Sequence, residues 1–204
     1  MRTGKGRGGT RDHIKRAALA LFNEHGYERT SLREIADHLG ITKAAIYYHF
    51  KAKEEIVAEL CAQWIESIED VVDWMQSQPS GLSCRQEALR RYASVLEQSA
   101  PLTRFLRENQ AALRDLAVGA ALDDVLARAW SLFEVPGAGL SDRLRCIAAI
   151  SVVHRVPAAF GDADMEHAAV HDAALTVGLE LLAAAHPTGY DARLAHGEGP
   201  ASAQ

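Results

Sequence analysis

Apolar residues recur along most of this chain with the three- and four-residue spacing of an α-helix. Ile14, Ala18, Leu21 and Phe22 open the pattern, and all four lie on one helical face. No run of alternating β-branched residues is long enough to predict a strand. The sequence therefore predicts an all-α fold of about nine helices.

Proline and glycine residues mark the expected helix ends, and proline is absent before Pro79. The segments between these breaks predict helices at roughly 10–25, 31–40, 42–48, 53–75, 82–98, 102–110, 111–134, 140–156 and 163–185. Pro157 is expected to end or kink the helix at 140–156, because proline lacks the N–H that a helix interior uses.

Residues 31–50 have the layout of a helix-turn-helix, with a tight turn at Gly40 between two short helices. Ser31 and Glu34 are spaced as a capping box for the first helix, and Thr42 is a suitable N-cap for the second. Such a motif places its second helix in the major groove of DNA. The same pattern is also compatible with two packed structural helices.

The charges are divided unevenly along the chain, whose overall net charge is -5. Residues 1–53 contain eleven Lys and Arg and five Asp and Glu, a net charge of +6, and they contain all five lysines. The remaining residues have a net charge of -11. This asymmetry predicts a polyanion-binding part beside a part with another task.

Three segments carry a resemblance to a known family. They read ALALFNEHGY at 18–27, TSLREIA at 30–36 and GITKAAIYYHFKAKEE at 40–55. Together they resemble the signature of the TetR family of transcriptional repressors, and the resemblance is specific over residues 10–60. It implies an Ω-shaped homodimer whose DNA-binding domain of three helices precedes a larger ligand-binding and dimer-forming domain. The resemblance further implies that an inducer bound in the larger domain releases the DNA.

The chain is expected to divide into four parts. The Gly-, Ala- and polar-rich composition predicts a flexible basic arm at 1–9 and a mobile tail at 188–204. Between them the resemblance implies a TetR-type helix-turn-helix domain at 10–55, with its motif at 31–50, and a ligand-binding and dimerisation domain at 56–187. The arm residues Arg2, Lys5, Arg7 and Arg11 could enter the minor groove, or the arm could remain unbound.

The expected partner is double-stranded operator DNA, read as a palindrome by a dimer. Ile46 and Phe50 are expected to anchor the second helix, so that Lys43 faces guanine acceptors and Ala45 a thymine methyl. The residues expected at the DNA are Ser31, Arg33, Thr42, Lys43, Ala45, Tyr47, Tyr48, His49 and Lys53. For Tyr47 and Tyr48 core packing remains an alternative, as does plain surface exposure for His49.

The expected effector is a hydrophobic or amphipathic small molecule, because large apolar residues of the central helices are the candidate pocket. They are Trp64, Trp74, Met75, Tyr92, Phe105, Trp130 and Phe133, with ordinary core packing as the alternative for each. His154 is the candidate polar group of the site, with a buried polar pair at the dimer interface as its alternative. The helix that begins at Lys53 follows the DNA-binding motif without a linker, so it can couple ligand binding to DNA release.

Small residues in the last helix predict a dimer interface with the helix before it. The candidates are Ile147, Ser151, Ala174, Gly178 and Leu181, and packing within one chain is the alternative.

The chain lacks GxSxG, P-loop and GxGxxG motifs, so neither catalysis nor a cofactor is expected. His167 and His171 are spaced for one metal, but no third ligand is fixed by spacing, and no metal is expected. The competing hypotheses are a helical metal- or ligand-binding protein or enzyme with an appended helix-turn-helix, and a helical interaction module that does not bind DNA.

Cysteine usage and hydropathy bear on the expected compartment. Cys61, Cys84 and Cys146 form no CxxC pair, which argues against a disulfide framework. The chain contains no apolar run of the roughly 18 residues that a membrane span needs, and no secretory signal is expected. We therefore expect a cytoplasmic protein without membrane contact.

Overall fold

The computed structural model describes residues 7–109, 118–135, 137–159 and 167–185. These residues form helices and connecting turns and contain no strand, which confirms the all-α prediction. The helices in the described ranges are α1 (Arg7–His25), α2 (Leu32–Leu39), α3 (Lys43–His49), α4 (Lys53–Gln76), α5 (Leu82–Gln98), α6 (Ala100–Glu108), α7 (Val118–Ser131), α8 (Leu140–Ala159) and α9 (His167–Ala184).

Two helix boundaries differ from the prediction for physical reasons. Helix α1 begins at Arg7, so Arg7 is helical rather than part of the flexible arm expected at 1–9, and Arg11 lies within the helix predicted at 10–25. Helix α8 continues through Pro157 to Ala159, so Pro157 does not end it. At that position the missing proline N–H removes only one hydrogen bond from the last turn, and the ring is buried. Arg2, Lys5 and the expected tail at 188–204 lie outside the described residues.

The chain divides into two compact units. Unit 1 comprises Met1–Ile65 with Ser99–Leu122, and unit 2 comprises Glu66–Gln98 with Asp123–Gln204. Unit 1 thus extends beyond the DNA-binding segment expected at 10–55, because it includes the first half of α4 and all of α6.

An apolar core in unit 1 holds α1, α2, α3 and α6 together. Phe22 stacks on Phe105 with ring centroids 5.5 Å apart, and Tyr27 meets Phe105 edge-on at 5.7 Å. Asn23 of α1 donates a hydrogen bond of 3.0 Å to the carbonyl of Pro101 in α6. Aromatic pairs of this kind add about 0.5–1.5 kcal/mol each beyond area burial. Helix α6 is therefore a structural part of unit 1.

In unit 2, α9 packs closely on α8 and α5 at Gly178, which has no side chain. A Cβ at Gly178 would lie 3.0 Å from side-chain carbons of Leu89 and Val153 and 3.1 Å from the carbonyl of Ala149. The glycine therefore permits an approach that alanine would obstruct.

None of the described helices combines the length and the apolar character that crossing a bilayer requires.

Candidate nucleic-acid interface

Local side-chain caps fix the turn between α2 and α3. The Ser31 hydroxyl accepts a hydrogen bond from the Glu34 amide at 3.2 Å, and the Glu34 carboxylate accepts one from the Ser31 amide at 2.7 Å. The Ser31 amide and the Ser31 hydroxyl both donate to the Glu34 carboxylate, and these two hydrogen bonds lower the pKa of Glu34. Gly40 ends α2 with φ +63°, and Thr42 caps α3 by accepting from the Ala45 amide at 3.1 Å. The capping box and the glycine turn predicted from the sequence are both confirmed.

The core orients α3 so that one face is anchored and the other is open. Ile46 and Phe50 are fully buried. Lys43 is exposed beside them, and Tyr47 and Tyr48 are 38% and 64% exposed. Core packing is thereby excluded as the role of Tyr48.

The other predicted contact residues are arranged around this face. Arg33 is exposed on α2, where its Nε lies 3.8 Å from the Asp37 carboxylate. The His49 ring is partly buried and meets the Tyr48 ring edge-on at 5.3 Å. Ala45 is partly buried. Thr42 is exposed, and so is Ser31, although its hydroxyl is used in the α2 cap.

Lys53 differs from the other predicted contacts because its side chain is already engaged within unit 1. Its ammonium donates a hydrogen bond of 2.7 Å to the Tyr27 carbonyl and lies 4.1 Å from the centre of the Tyr27 ring. Only 18% of the side chain is exposed. Lys53 therefore joins the start of α4 to the turn after α1.

Arg11 has a role that the sequence analysis missed. Its Nε lies 2.9 Å from both carboxylate oxygens of Glu59, and its Nη1 donates to the His49 carbonyl at 2.6 Å. The guanidinium also lies 4.2 Å from the centre of the Phe50 ring. The signal available was its spacing of three from Ile14, which places it on the apolar face of α1.

Within unit 2 the structure brings together three of the predicted pocket residues. The Tyr92 hydroxyl and His154 Nδ1 share a hydrogen bond of 2.7 Å, and the Trp130 ring meets the His154 ring edge-on at 5.7 Å. Burial raises the pKa of Tyr92 and lowers the pKa of His154 to about 4, with the Arg155 charge adding to the latter. The imidazole is therefore neutral at pH 7.

The remaining predicted pocket residues lie elsewhere. Phe105 belongs to the aromatic core of unit 1, and Trp64 is also assigned to unit 1. Trp74 carries the Arg91 guanidinium 3.9 Å from its ring centre, while Met75 and Phe133 are buried in unit 2. An open cavity of about 510 Å³ in unit 1 is lined by none of the predicted pocket residues; its lining is His13, Arg16, Ala17, His38 and Leu39.

The predicted interface residues divide into surface and interior positions. Ile147 is exposed, and Ser151 and Leu181 are partly exposed. Ala174 is buried, and Gly178 faces Leu89 and Val153 of its own chain. Packing within one chain, the alternative left open by the sequence, therefore describes these two small residues. The sequence analysis missed the other large apolar side chains that are exposed in the described part of these two helices, which are Leu140, Leu144 and Val177.

Neither metal binding nor thiol chemistry gains support from the described residues. In the described ranges no three His, Cys, Asp or Glu side chains are grouped to hold a metal. The side chain of His167 lies outside the described part. The three thiols are free, and burial raises the pKa of Cys61 to about 11.

Comparison with known proteins finds a family match in the N-terminal segment. Residues 14–60 match the family described as bacterial regulatory proteins, TetR family. The N-terminal segment of this chain is therefore similar to that family. One curated relative is the HTH-type transcriptional regulator AcrR of Shigella flexneri, which is 49% identical to this chain over 51 residues. Those residues are 25% of this chain and 24% of that protein, so the chain spans about a quarter of this relative's length.

Solved structures extend the likeness in fold beyond the TetR-type segment. A protein described as a TetR-family transcriptional regulator from Mesorhizobium loti has a TM-score of 0.58 and 25% identity, covering 87% of this chain and 97% of that one. A transcriptional regulator from Aquifex aeolicus has a TM-score of 0.65 and 19% identity, covering 85% and 99%. The all-α fold of the TetR regulators is thus shared over most of the chain.

Proposed function

We propose that this protein is a sequence-specific DNA-binding transcriptional regulator, a repressor that a small hydrophobic or amphipathic ligand releases from its operator. The observation that carries the proposal is the rigidly capped α2–turn–α3 unit, which presents Lys43, Tyr47 and Tyr48 outward from a buried anchor of Ile46 and Phe50. The net charge of +6 over residues 1–53 supports the same role. On this proposal the protein acts in the cytoplasm.

Fluorescence anisotropy with labelled DNA tests the proposal. The probe is the promoter region of the protein's own gene, and the control is random DNA of equal length. Binding should weaken steeply with salt, because Lys and Arg contacts to phosphates release counterions. Lys43→Ala should cost about 1–3 kcal/mol on the operator and relax preference at one base pair. Equal affinity of the wild type for promoter and random DNA would argue against sequence-specific regulation.

The proposed operator-binding species is a homodimer. Leu140, Leu144 and Ile147 follow one another on a single face of α8, and Val177 is exposed on α9. Contiguous apolar surface of this kind commonly marks an interaction site. A two-fold dimer would present two recognition helices to a palindrome with matched half-sites.

The proposed effector site lies at Tyr92, Trp130 and His154, where aromatic surface surrounds a neutral imidazole. A ligand changes DNA affinity only by its differential affinity for the two conformations of the protein. To test this site, candidate ligands are titrated while tryptophan fluorescence and operator release are monitored. Operator DNA must weaken ligand binding by the same factor by which ligand weakens DNA binding.

The competing hypotheses of a metalloprotein or enzyme gain no specific support. The relatives named above are transcriptional regulators by description. We therefore assign the chain a regulatory rather than a catalytic role.

A further inference from the structure

We infer that Arg11 is a positioning residue that fixes the recognition helix α3 against α4, through simultaneous contacts with Glu59 and the His49 carbonyl. The expected effect of Arg11 on operator recognition rests on the proposed function, whereas its role in positioning α3 does not. The residues that carry the inference all lie in unit 1.

Three helices meet at the Arg11 guanidinium. It projects from α1, its Nε lies 2.9 Å from both Glu59 oxygens on α4, and its Nη2 donates to Glu59 Oε1 as well. Its Nη1 donates at 2.6 Å to His49, the last residue of α3. This contact satisfies one of the carbonyls that a helix C-terminus leaves without an intrahelical partner.

Helix α3 depends on such external contacts because it has only seven residues. Its first turn is held by Thr42, and its last turn by the Phe50 side chain and by Arg11. The exposed Tyr47 and Tyr48 lie in that last turn. A small change at the His49 carbonyl therefore changes where these two rings point.

The charges of the pair are stable near neutral pH. The Arg11 hydrogen bonds lower the pKa of Glu59, and the buried Lys15 ammonium lies 3.8 Å from the same carboxylate. An arginine is required, because its planar fork binds a carboxylate with two donors while a third donor remains for the carbonyl. Lysine has the same charge but offers only a single ammonium, so it cannot span the two acceptors in the same geometry.

The pairing makes the orientation of α3 depend on α4. Glu59 lies in the first half of α4, and α4 continues beyond Ile65, the last residue of unit 1 in that segment. A displacement of α4 at Glu59 would therefore pull on the guanidinium that holds His49. Arg11 therefore gives α4 a specific point of contact with the recognition helix α3.

The test compares Arg11→Lys with Arg16→Lys, a matched change at an exposed arginine of the same helix. The first readout needs no DNA: hydrogen exchange of the His49 and Phe50 amides, measured by NMR. We expect about tenfold faster exchange at these amides in Arg11→Lys, unchanged exchange in α2, and no change in Arg16→Lys. Unchanged exchange at His49 and Phe50, or uniform acceleration through α1, α2 and α3, would overturn the inference.

The second readout is the affinity for operator and for random DNA. We expect Arg11→Lys to lose about tenfold in operator affinity with random-DNA affinity unchanged, since only the placement of the base-reading residues is altered. Equally weaker binding to both DNAs would instead show that Arg11 contacts a phosphate, and the inference would fail. If the wild type binds no operator, the proposed function fails, while the exchange measurement still decides the positional role.

A second variant guards against misfolding of the first. Glu59→Gln leaves Arg11 in place and removes only the charge of its partner, and Glu66→Gln is its control at an exposed position of the same helix. Glu59→Gln should change exchange and operator affinity in the same direction as Arg11→Lys. The double variant should be no worse than Arg11→Lys alone, because both changes break one interaction. Fully additive effects would show that Arg11 and Glu59 act separately, contrary to the inference.

Discussion

The ammonium group of Lys53 donates a hydrogen bond to the Tyr27 carbonyl and lies over the face of the Tyr27 ring. The Tyr27 hydroxyl in turn donates to the Glu54 carboxylate at 3.1 Å. Two consecutive residues at the start of α4 therefore bind the same tyrosine. Lys53 is a structural link as well as a candidate phosphate contact, and the two roles predict different results on substitution.

Lys53→Ala is expected to lower the free energy of unfolding by about 1–2 kcal/mol, because a largely buried charged hydrogen bond and a cation–π contact are lost. Lys51→Ala is the control, since Lys51 also donates to a carbonyl, that of Tyr47, but at an exposed position. Urea denaturation of both variants measures the difference. If Lys53 also contacts a phosphate, the salt slope of DNA binding falls by about one. Equal stability of the two variants would contradict the structural role.

Residues close in sequence could be predicted, whereas contacts between distant residues could not. Ser31 and Glu34 interact three positions apart, and Gly40 ends its own helix, so local residue type and spacing identified them. Arg11 and Glu59 are 48 positions apart, and their contact exists only after α1 and α4 pack together. No local pattern identifies such a partner.

The sequence pattern behind the dimer-interface prediction is ambiguous. Small residues allow close helix approach whether the neighbouring helix belongs to the same chain or to another copy. Gly178 and Ala174 therefore have the same sequence signal for both cases, and only the packing of α9 on α5 and α8 separates them. The exposed Leu144 was missed for the opposite reason, since apolar residues on a helix are expected to face its own core.

Stability should fall as the pH is lowered from about 6.5 to about 4, because of His154. The folded protein has a His154 pKa of about 4, below the ordinary value of 6.5. Between these values the unfolded chain binds a proton that the folded protein does not, so the free energy of unfolding decreases, by at most about 3 kcal/mol.

Thermal unfolding of the wild type and of His154→Gln over this pH range checks the prediction. The variant should show a flatter dependence, since glutamine does not titrate. His13→Gln, at an exposed position, should keep the wild-type dependence. If His154→Gln follows the wild-type curve, other groups account for the acid sensitivity.

Gly178→Ala is expected to destabilise the fold. The new methyl would lie 3.0 Å from Leu89 and Val153, and overpacking of this kind costs about 1–3 kcal/mol, offset in part by up to about 1 kcal/mol of helix propensity. Gly119→Ala is the matched control, because nothing lies within 4 Å of a Cβ there. That change in α7 should be neutral or slightly stabilising. Urea denaturation distinguishes them, and a Gly178→Ala protein as stable as Gly119→Ala would contradict the close packing.

Disruption of the proposed dimer should start from the exposed face of α8 and not from Gly178. Leu144 and Ile147 are 57% and 41% exposed, so arginine at either position leaves the core of one chain intact. Sedimentation velocity should show monomers for the variant with both Leu144→Arg and Ile147→Arg, while Ala127→Arg, at an exposed position of α7, should remain dimeric. Operator affinity should fall with the loss of the dimer, because a monomer reads only one half-site of a palindrome. A variant that stays dimeric and keeps its operator affinity would place the interface on another surface.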